Sequence, residues 1–260
     1  VPANPYLRGS YADPGVHAND LGRIYSVAYA LVLFSWWEAK SPKFKVAAFV
    51  TLGICGFACM LTFSRAGFLG IALVSGLFLL WKLNAKTVAL AIGAGAFFLA
   101  FAPQYVWRRI TFGWEADANT VSANRIEEIW LPLLPTLGDS PLWGNGIASV
   151  MWAEPALTGD MMIVSHPHNA FLEAYLDMGL IGLGLLLYYY WHVWRGFRAL
   201  GSNAYLSPEM RGFFQGATAA LMVFAVTAMA GSSLRPDSEF GYLWLAIGMM
   251  YGMLARRPAG

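Results

Sequence analysis

Charged residues are scarce in this chain, and their scarcity excludes an ordinary water-soluble domain. Of its 260 residues only 12% are charged, 58% are hydrophobic, and the mean hydropathy is +0.51. Soluble domains carry roughly twice that share of charge, so the composition predicts a protein that folds in lipid. The basic residues form no patch, and no nucleic-acid partner is expected.

Cysteine and the common catalytic motifs are also nearly missing. Only Cys55 and Cys59 occur, with no further ligand near them, so we interpret them as packing residues rather than a metal site. The chain has no phosphate-binding loop, nucleophile elbow, zinc motif or dinucleotide fingerprint, and we expect neither a metal nor a cofactor. It begins at Val1 without a basic stretch, which predicts no signal peptide and favours an excerpt of a longer membrane protein.

Long hydrophobic runs are abundant instead. Spanning a bilayer takes about 20 apolar residues, and the chain offers seven candidate segments: 21–38, 44–62, 66–81, 87–104, 169–194, 212–231 and 241–255. The polar segment 104–167 separates the fourth from the fifth. We therefore expect an all-α polytopic membrane protein with about seven transmembrane helices. Residues 1–260 would form one membrane domain, with one long loop that carries short helices.

The charges between these segments predict the side of the membrane on which each loop lies. One set of loops holds every lysine and ten of the seventeen cations, against only Glu38 and Glu209. Cytoplasmic loops are enriched in lysine and arginine, so this set is predicted to be cytoplasmic. The start of the chain and segment 104–167 then lie outside, where every cation is an arginine.

The first polar cluster on the outer side is Ser64-Arg65-Ala66-Gly67, between two hydrophobic segments. Gly67 suits a tight turn there. The guanidinium of Arg65 either extends to the lipid headgroups or forms a fixed cation that meets a lipid-linked phosphate. The outer segments 8–20 and 232–239 either line a site or form ordinary solvated loops, and the sequence favours solvated loops.

The second cluster surrounds Arg125 in the long loop. Ser122 or Asn124 is placed to cap a short helix, and Glu127 and Glu128 are favourable in its first turn. Arg125 is then either a solvated surface residue or a cation that projects from this turn. Four apolar residues at helical spacing predict a face that lies against the bundle or the interface: Ile126, Ile129, Trp130 and Leu133.

The third cluster opens the fifth hydrophobic segment. Asn169, Glu173 and Asp177 recur every four residues and form a polar stripe on the first two helical turns. Carboxylates are costly to bury in lipid, so we expect the stripe to face a cavity or other polar residues. A neutral histidine beside it, His166 or His168, can accept a proton from a hydroxyl. An isolated surface histidine would only cap the helix and bind water.

In this order the motifs resemble the O-antigen ligase and O-antigen polymerase superfamily of bacterial inner membranes. The resemblance runs from about Arg8 to the last hydrophobic segment, and five motifs on one side of the membrane make it specific. The matching features are Asn19, Ser64-Arg65-Ala66-Gly67, Arg125 with Ile129, Pro141-Leu142-Trp143-Gly144-Asn145-Gly146, His168–Glu173 and Gly179–Leu183. Members have more helices than seven, which implies an excerpt of a larger GT-C-type bundle.

The resemblance implies a metal-independent, inverting glycosyltransferase that uses an undecaprenyl-diphosphate-linked glycan at the periplasmic face. By position, Arg65 and Arg125 correspond to the diphosphate-binding arginines of the superfamily, and His168 corresponds to its essential histidine. Four further residues are expected to bind substrate or to orient the imidazole: His166, Asn169, Glu173 and Arg8.

Three functions remain as alternatives. The Ser-Arg-Ala-Gly and His-Asn motifs favour a ligase, whose acceptor is a sugar hydroxyl of lipid A-core, whereas a polymerase joins two lipid-linked repeat units. A transporter or flippase for lipid-linked sugars would bind the same diphosphate without chemistry. Transporters usually carry ionisable groups near mid-membrane and internally repeated halves, and the seven hydrophobic segments show neither.

Overall fold

The computed structural model describes residues 18–111, 117–231, 234 and 240–255. Within these ranges the chain is helical or irregular and contains no β-strand, so the all-α prediction is confirmed for them. Each predicted hydrophobic segment coincides with a long helix. The α-helices are α1 (Ala18–Glu38), α2 (Pro42–Leu61), α3 (Arg65–Trp81), α4 (Ala85–Phe101), α5 (Gln104–Thr111), α6 (Ala118–Val121), α7 (Leu131–Leu133), α8 (Glu154–Thr158), α9 (Ala170–Gly201), α10 (Pro208–Ala228) and α11 (Gly241–Ala255).

Two of these helices, α2 and α9, are long and apolar enough to cross a bilayer by their length and composition. Three shorter apolar helices cover Arg65–Trp81, Ala85–Phe98 and Gly241–Ala255. A helix rises about 1.5 Å per residue, so the shorter ones reach across only a thinned hydrocarbon layer. Seven transmembrane helices therefore stay a prediction.

The described residues fall into two compact units. The bundle unit lies within residues 1–110, 193–224 and 236–260, and the loop unit lies within residues 111–192 and 225–235. Each unit buries its own apolar side chains, among them Phe34, Phe214 and Leu243 in the bundle unit and Ile129 and Leu133 in the loop unit.

Small residues let α1 and α3 approach closely in the bundle unit. A Cβ atom added to Gly67 would lie 2.8 Å from the Cα of Gly22, and one added to Gly22 would lie 2.8 Å from the Cβ of Ser64. These separations are far below van der Waals contact, so only glycine fits. Cys59 is fully buried, and its Sγ would lie 2.8 Å from the same added Cβ at Gly67. The interpretation of Cys59 as a packing residue is confirmed.

The two ends of α1 contact Lys82 and the Ser64-Arg65 motif, respectively. Near its end, Glu38 accepts a hydrogen bond of 2.6 Å from the Nζ of Lys82. Near its start, Asn19 accepts one of 2.9 Å from the Oγ of Ser64. A helix of 21 residues is about 30 Å long, so Arg65 begins α3 at the end of the bundle unit opposite to Lys82.

The loop unit has a hydrophobic core of its own. Ile129 and Leu133 pack with Val150, Ala153, Met161 and Leu176, all nearly inaccessible to solvent. The apolar face predicted to lie against the bundle or the interface is therefore covered mainly by the same loop, together with the first turns of α9. The sequence pattern located the apolar face, whereas the residues that pack against Ile129 and Leu133 lie 17 to 47 positions further along the chain.

Helix α9 is broken at Gly179, where φ is 65° and ψ is −169°, a conformation open only to glycine. The loop 141–146 lies against this break and replaces the missing helical hydrogen bonds. Its amides at Asn145 and Gly146 donate to the carbonyls of Leu176 and Asp177, at 2.7 and 3.0 Å. In return, the amides of Leu180 and Ile181, which follow the break, donate to the carbonyls of Pro141 and Leu142 at 2.9 and 3.2 Å. The turn-rich motif Pro141–Gly146 is thus joined to α9 through its backbone.

Candidate functional site

Arg65 is held at the first residue of α3 by the side chain of Ser64. The Oγ of this buried serine accepts a hydrogen bond of 3.1 Å from the amide of Gly67 and caps the helix. The same Oγ donates to Asn19, so the start of α3 is tied to the start of α1. The guanidinium of Arg65, half-buried, therefore extends from the positive end of a helix dipole, an arrangement that favours anions.

Arg23 is a second cation at this end of the bundle unit. It is only 5% exposed, and its Nη1 lies 3.7 Å from Oδ1 of Asp20. A charge removed from water needs compensation, and Asp20 supplies part of it. In the sequence Arg23 stands out only as one of the outer charges, because helical spacing alone does not reveal that a side chain is buried.

Arg125 precedes a single π-helical turn, Ile126–Trp130, in which the amide of Leu131 bonds to the carbonyl of Ile126. π-Helical turns are rare and occur often at functional sites. The guanidinium is half-buried, and its Nη1 lies 3.5 Å from the carbonyl oxygen of Ala230, just beyond the end of α10. The backbone thus projects Arg125 from the start of the turn, as predicted.

The cap predicted from Ser122 or Asn124 is wrong. Asn119 provides it instead: its Oδ1 accepts a hydrogen bond of 3.2 Å from the amide of Glu127, and its Nδ2 donates to Oε2 of the same residue at 3.0 Å. The reason is that Asn124 has a left-handed backbone with φ of 65°, and its amide side chain donates to Glu128. Asn119 lies in the preceding helix α6, eight residues before Glu127 in the sequence.

Asp117 caps α6 at the other end of this segment. Its Oδ1 accepts a hydrogen bond of 2.7 Å from the amide of Thr120, and hydrogen bonding to Thr120 keeps the pKa of Asp117 below its usual value. The carboxylate therefore stays ionised at the positive end of this short helix.

The two histidines of the third cluster contact each other. The rings of His166 and His168 lie 4.2 Å apart between centroids and are almost perpendicular, at 85°. Pro167 between them is buried, and its carbonyl accepts a hydrogen bond of 2.8 Å from Nε1 of Trp130. His168 itself has φ of 53°, a left-handed conformation that is costly for a residue with a Cβ.

Asn169 caps α9, a role that the sequence pattern did not assign to it, because that pattern placed Asn169 in the polar stripe. Its Oδ1 accepts hydrogen bonds from the amides of Phe171 and Leu172 at 3.1 and 3.2 Å. One turn later Glu173 is half-buried, and its amide bonds to the carbonyl of Asn169 at 2.9 Å. His168 therefore lies immediately outside the helix, on a backbone fixed on both sides.

Asp177 completes the polar stripe but has a structural role. Its carboxylate accepts three hydrogen bonds, from the amides of Ala148 and Ser149 at 3.2 and 3.0 Å and from the Oγ of Ser149 at 2.8 Å. The expectation that the stripe faces other polar groups is confirmed for this residue. Asp177 anchors the loop beside the break in α9.

Strained backbone recurs beside the candidate residues. Among the described residues, five that are not glycine have positive φ: Phe63, Ala123, Asn124, Ala148 and His168. Four of these five lie within two residues of Arg65, Arg125 or His168, or are His168 itself. Such conformations cost about 1–3 kcal/mol each and cluster at functional sites.

The loop unit brings two of the candidate segments together. The turn that begins after Arg125 bonds to the histidine segment through Trp130, and the amide of Met162 donates to the carbonyl of Glu128 at 2.9 Å. Arg65 belongs to the bundle unit, and its convergence with the other two residues stays a prediction. Arg8 lies outside the described residues. Within the ranges that the structure covers, no group of three or more His, Cys, Asp or Glu side chains is placed to hold a metal ion.

Comparison with known families decides the class of protein. A family model described as O-Antigen ligase matches residues 50–187, just over half of the chain. The chain belongs to the O-antigen ligase family. The matched range contains Arg65, Arg125 and His168 together with the loop 141–146. A comparison with curated proteins finds no match.

Membership of the O-antigen ligase family confirms the resemblance seen in the motifs. It identifies the protein as a member of a membrane-protein family whose chemistry is glycan transfer of the ligase or polymerase type. Lipid-linked glycans are the substrates of this family.

Proposed function

We propose that this O-antigen ligase family protein transfers a glycan from undecaprenyl diphosphate to a sugar hydroxyl of lipid A-core, at the periplasmic face of the bacterial inner membrane. The observation that carries the proposal is the architecture of the loop unit. There the segment that starts at Arg125 is bonded directly to the segment that holds His168. This bond supports the proposal that Arg125, as a cation for the leaving group, and His168, as a base for the acceptor, act on one framework.

The bundle unit supports the periplasmic placement of Arg65. Lys82 lies at one end of α1 and the start of α3 lies at the other. If the lysines face the cytoplasm, Arg65 and the cap that holds it face the periplasm. Lipid-linked diphosphates would meet the protein at that surface, and seven transmembrane helices in a single membrane domain would place segment 104–167 there as well.

The reaction forms one bond and breaks one. The acceptor hydroxyl oxygen attacks the anomeric carbon from the face opposite to the diphosphate, and the bond from that carbon to the phosphate oxygen breaks, with inversion. The leaving diphosphate takes the bonding electron pair, and the guanidiniums of Arg65 and Arg125 stabilise its growing charge. The imidazole of His168 takes the proton of the acceptor hydroxyl. No divalent metal is required in this mechanism, because the arginines carry the positive charge.

The remaining candidates support this centre. His166 contacts the ring of His168, and we expect it to help bind the acceptor. Asn169 caps α9 and Glu173 lies on its first turn, where they would orient the imidazole or bind sugar hydroxyls. Arg8 is the proposed further cation for the diphosphate.

The test is incubation of the full-length protein with an undecaprenyl-diphosphate-linked glycan and two acceptors, followed by mass spectrometry of the products. A glycan attached to lipid A-core supports the ligase. Elongated lipid-linked glycan without attachment to lipid A-core would assign a polymerase instead. Absence of both products with an intact donor would refute glycan transfer and leave a transporter or flippase as the alternative.

A further inference from the structure

A side-chain hydrogen bond links the turn after Arg125 to the histidine segment. Nε1 of Trp130 donates to the carbonyl of Pro167 at 2.8 Å, across 37 positions of sequence. Tryptophan can fill apolar space with its ring alone, but its N–H adds a directed donor. We propose that Trp130 is a positioning residue that holds the backbone of His168 in its working orientation; this inference rests on the proposed function.

The bonded carbonyl controls the direction of the His168 side chain. The carbonyl of Pro167 and the amide of His168 belong to one rigid peptide plane. Rotation from that plane about the N–Cα bond is φ of His168, which is 53°. Residues with a Cβ prefer negative φ, so this turn persists only where its surroundings hold it. Trp130 holds the plane on one side of His168, and the cap of Asn169 holds the start of α9 on the other.

The donor is itself firmly placed. Trp130 ends the π-helical turn, next to Ile129, which is 1% exposed, and three residues before Leu133, which is 0% exposed. The carbonyl of Glu128, on the same turn, accepts a second hydrogen bond from the amide of Met162. The turn is therefore fixed to the core of the loop unit and, through Trp130, to the peptide bond before His168.

Replacing Trp130 with phenylalanine tests the donor while keeping an aromatic ring. Loss of one hydrogen bond that orients the base should lower kcat roughly tenfold. The KM for the lipid-linked donor should change less than about twofold, because the diphosphate ligands are untouched. The matched control is Trp152→Phe, since Trp152 lies in the same unit and is 71% exposed. Its kcat should equal that of the wild type.

A double-mutant cycle separates positioning from general stability. If Trp130 acts through the imidazole, Trp130→Phe has no further effect on the residual rate of His168→Ala. If it lowers that residual rate as much as it lowers the wild-type rate, Trp130 acts through the fold and the inference is overturned. Should Trp130→Phe fail to accumulate, 3-benzothienylalanine at position 130 keeps the bicyclic ring and removes only the N–H donor.

The outcomes distinguish this inference from the proposed function. Absence of both products with the wild-type protein would refute the proposed function, whereas full transfer by His168→Ala would remove only the role of His168 as the base. An inactive His168→Ala together with a wild-type kcat for Trp130→Phe, or for the benzothienyl variant, would overturn the positioning role alone. A tenfold fall in kcat that vanishes in the His168→Ala background supports it.

Discussion

Replacing Gly179 with alanine should destabilise the loop unit strongly. Gly179 lies at the break in α9 with φ of 65° and ψ of −169°, and a Cβ there would lie about 2.5 Å from the amide nitrogen of Trp143. Backbone strain of this kind costs about 1–3 kcal/mol. To relieve the clash, the loop 141–146 must move away from the helix.

That movement breaks backbone hydrogen bonds. Four of them join the loop to α9 around the break, at 2.7 to 3.2 Å. Each contributes a net of about 1 kcal/mol, so losing two of the four, added to about 2 kcal/mol of strain, destabilises the unit by about 4 kcal/mol. This is a large part of the roughly 5–15 kcal/mol that stabilises a typical protein.

The assay is denaturant unfolding of the full-length protein in micelles, combined with limited proteolysis of segment 117–168. The matched control is Gly184→Ala, five residues later on the same helix, where an added Cβ meets nothing within 4 Å. Alanine at an open helical position should be neutral or stabilising by up to about 1 kcal/mol. If Gly179→Ala has the same unfolding free energy and the same protease resistance as Gly184→Ala, the hydrogen bonds between the loop 141–146 and α9 do not stabilise the unit as argued.

Three further predictions concern single side chains. Asp177→Asn weakens the hydrogen bonds to Ser149 and should lower the free energy of unfolding by about 1–3 kcal/mol. Asp139 is exposed, so Asp139→Asn serves as the control and should leave the unfolding midpoint unchanged. Ser64→Ala removes both the cap of α3 and the bond to Asn19 and should lower stability by about 1–2 kcal/mol; an unchanged denaturation midpoint would contradict that role. Arg65→Ala and His168→Ala should each reduce glycan transfer by about 10²-fold or more with normal membrane insertion, and near-normal transfer by both would refute their assignment.

Much of the helical framework followed from local patterns. Hydrophobic runs located the bounds of α1–α4, α10 and α11 and the start of α9 to within four residues, because the length and composition of an apolar helix are properties of one stretch of chain. The end of α9 lies seven residues beyond the predicted segment, at Gly201. The start of α9 was equally predictable, since a proline disfavours helix in the residue before it and Pro167 lies just before the apolar run.

Features that depend on distant partners were missed. The turn after Arg125 is capped by Asn119 rather than by the nearer Ser122 or Asn124, because left-handed residues fold the chain back before the turn begins. The motif Pro141–Gly146 suggested only a tight loop. Its insertion at the break of α9 uses backbone groups about 35 residues apart, and backbone groups leave no signature in the sequence.

The sequence by itself determined that the chain is helical and suited to lipid, that every lysine falls in one of the two predicted sets of loops, and that its motifs resemble those of the O-antigen ligase family. Composition and periodicity are enough for the helices and for the preference for lipid, because they reflect the helical repeat and the solvent, and the order of the motifs carries the resemblance to the family. Only the tertiary structure decided that Trp130 bonds to the peptide before His168 and that Asp177 anchors a loop rather than a substrate. Those roles depend on which donor meets which acceptor, and folding sets that pairing across dozens of residues.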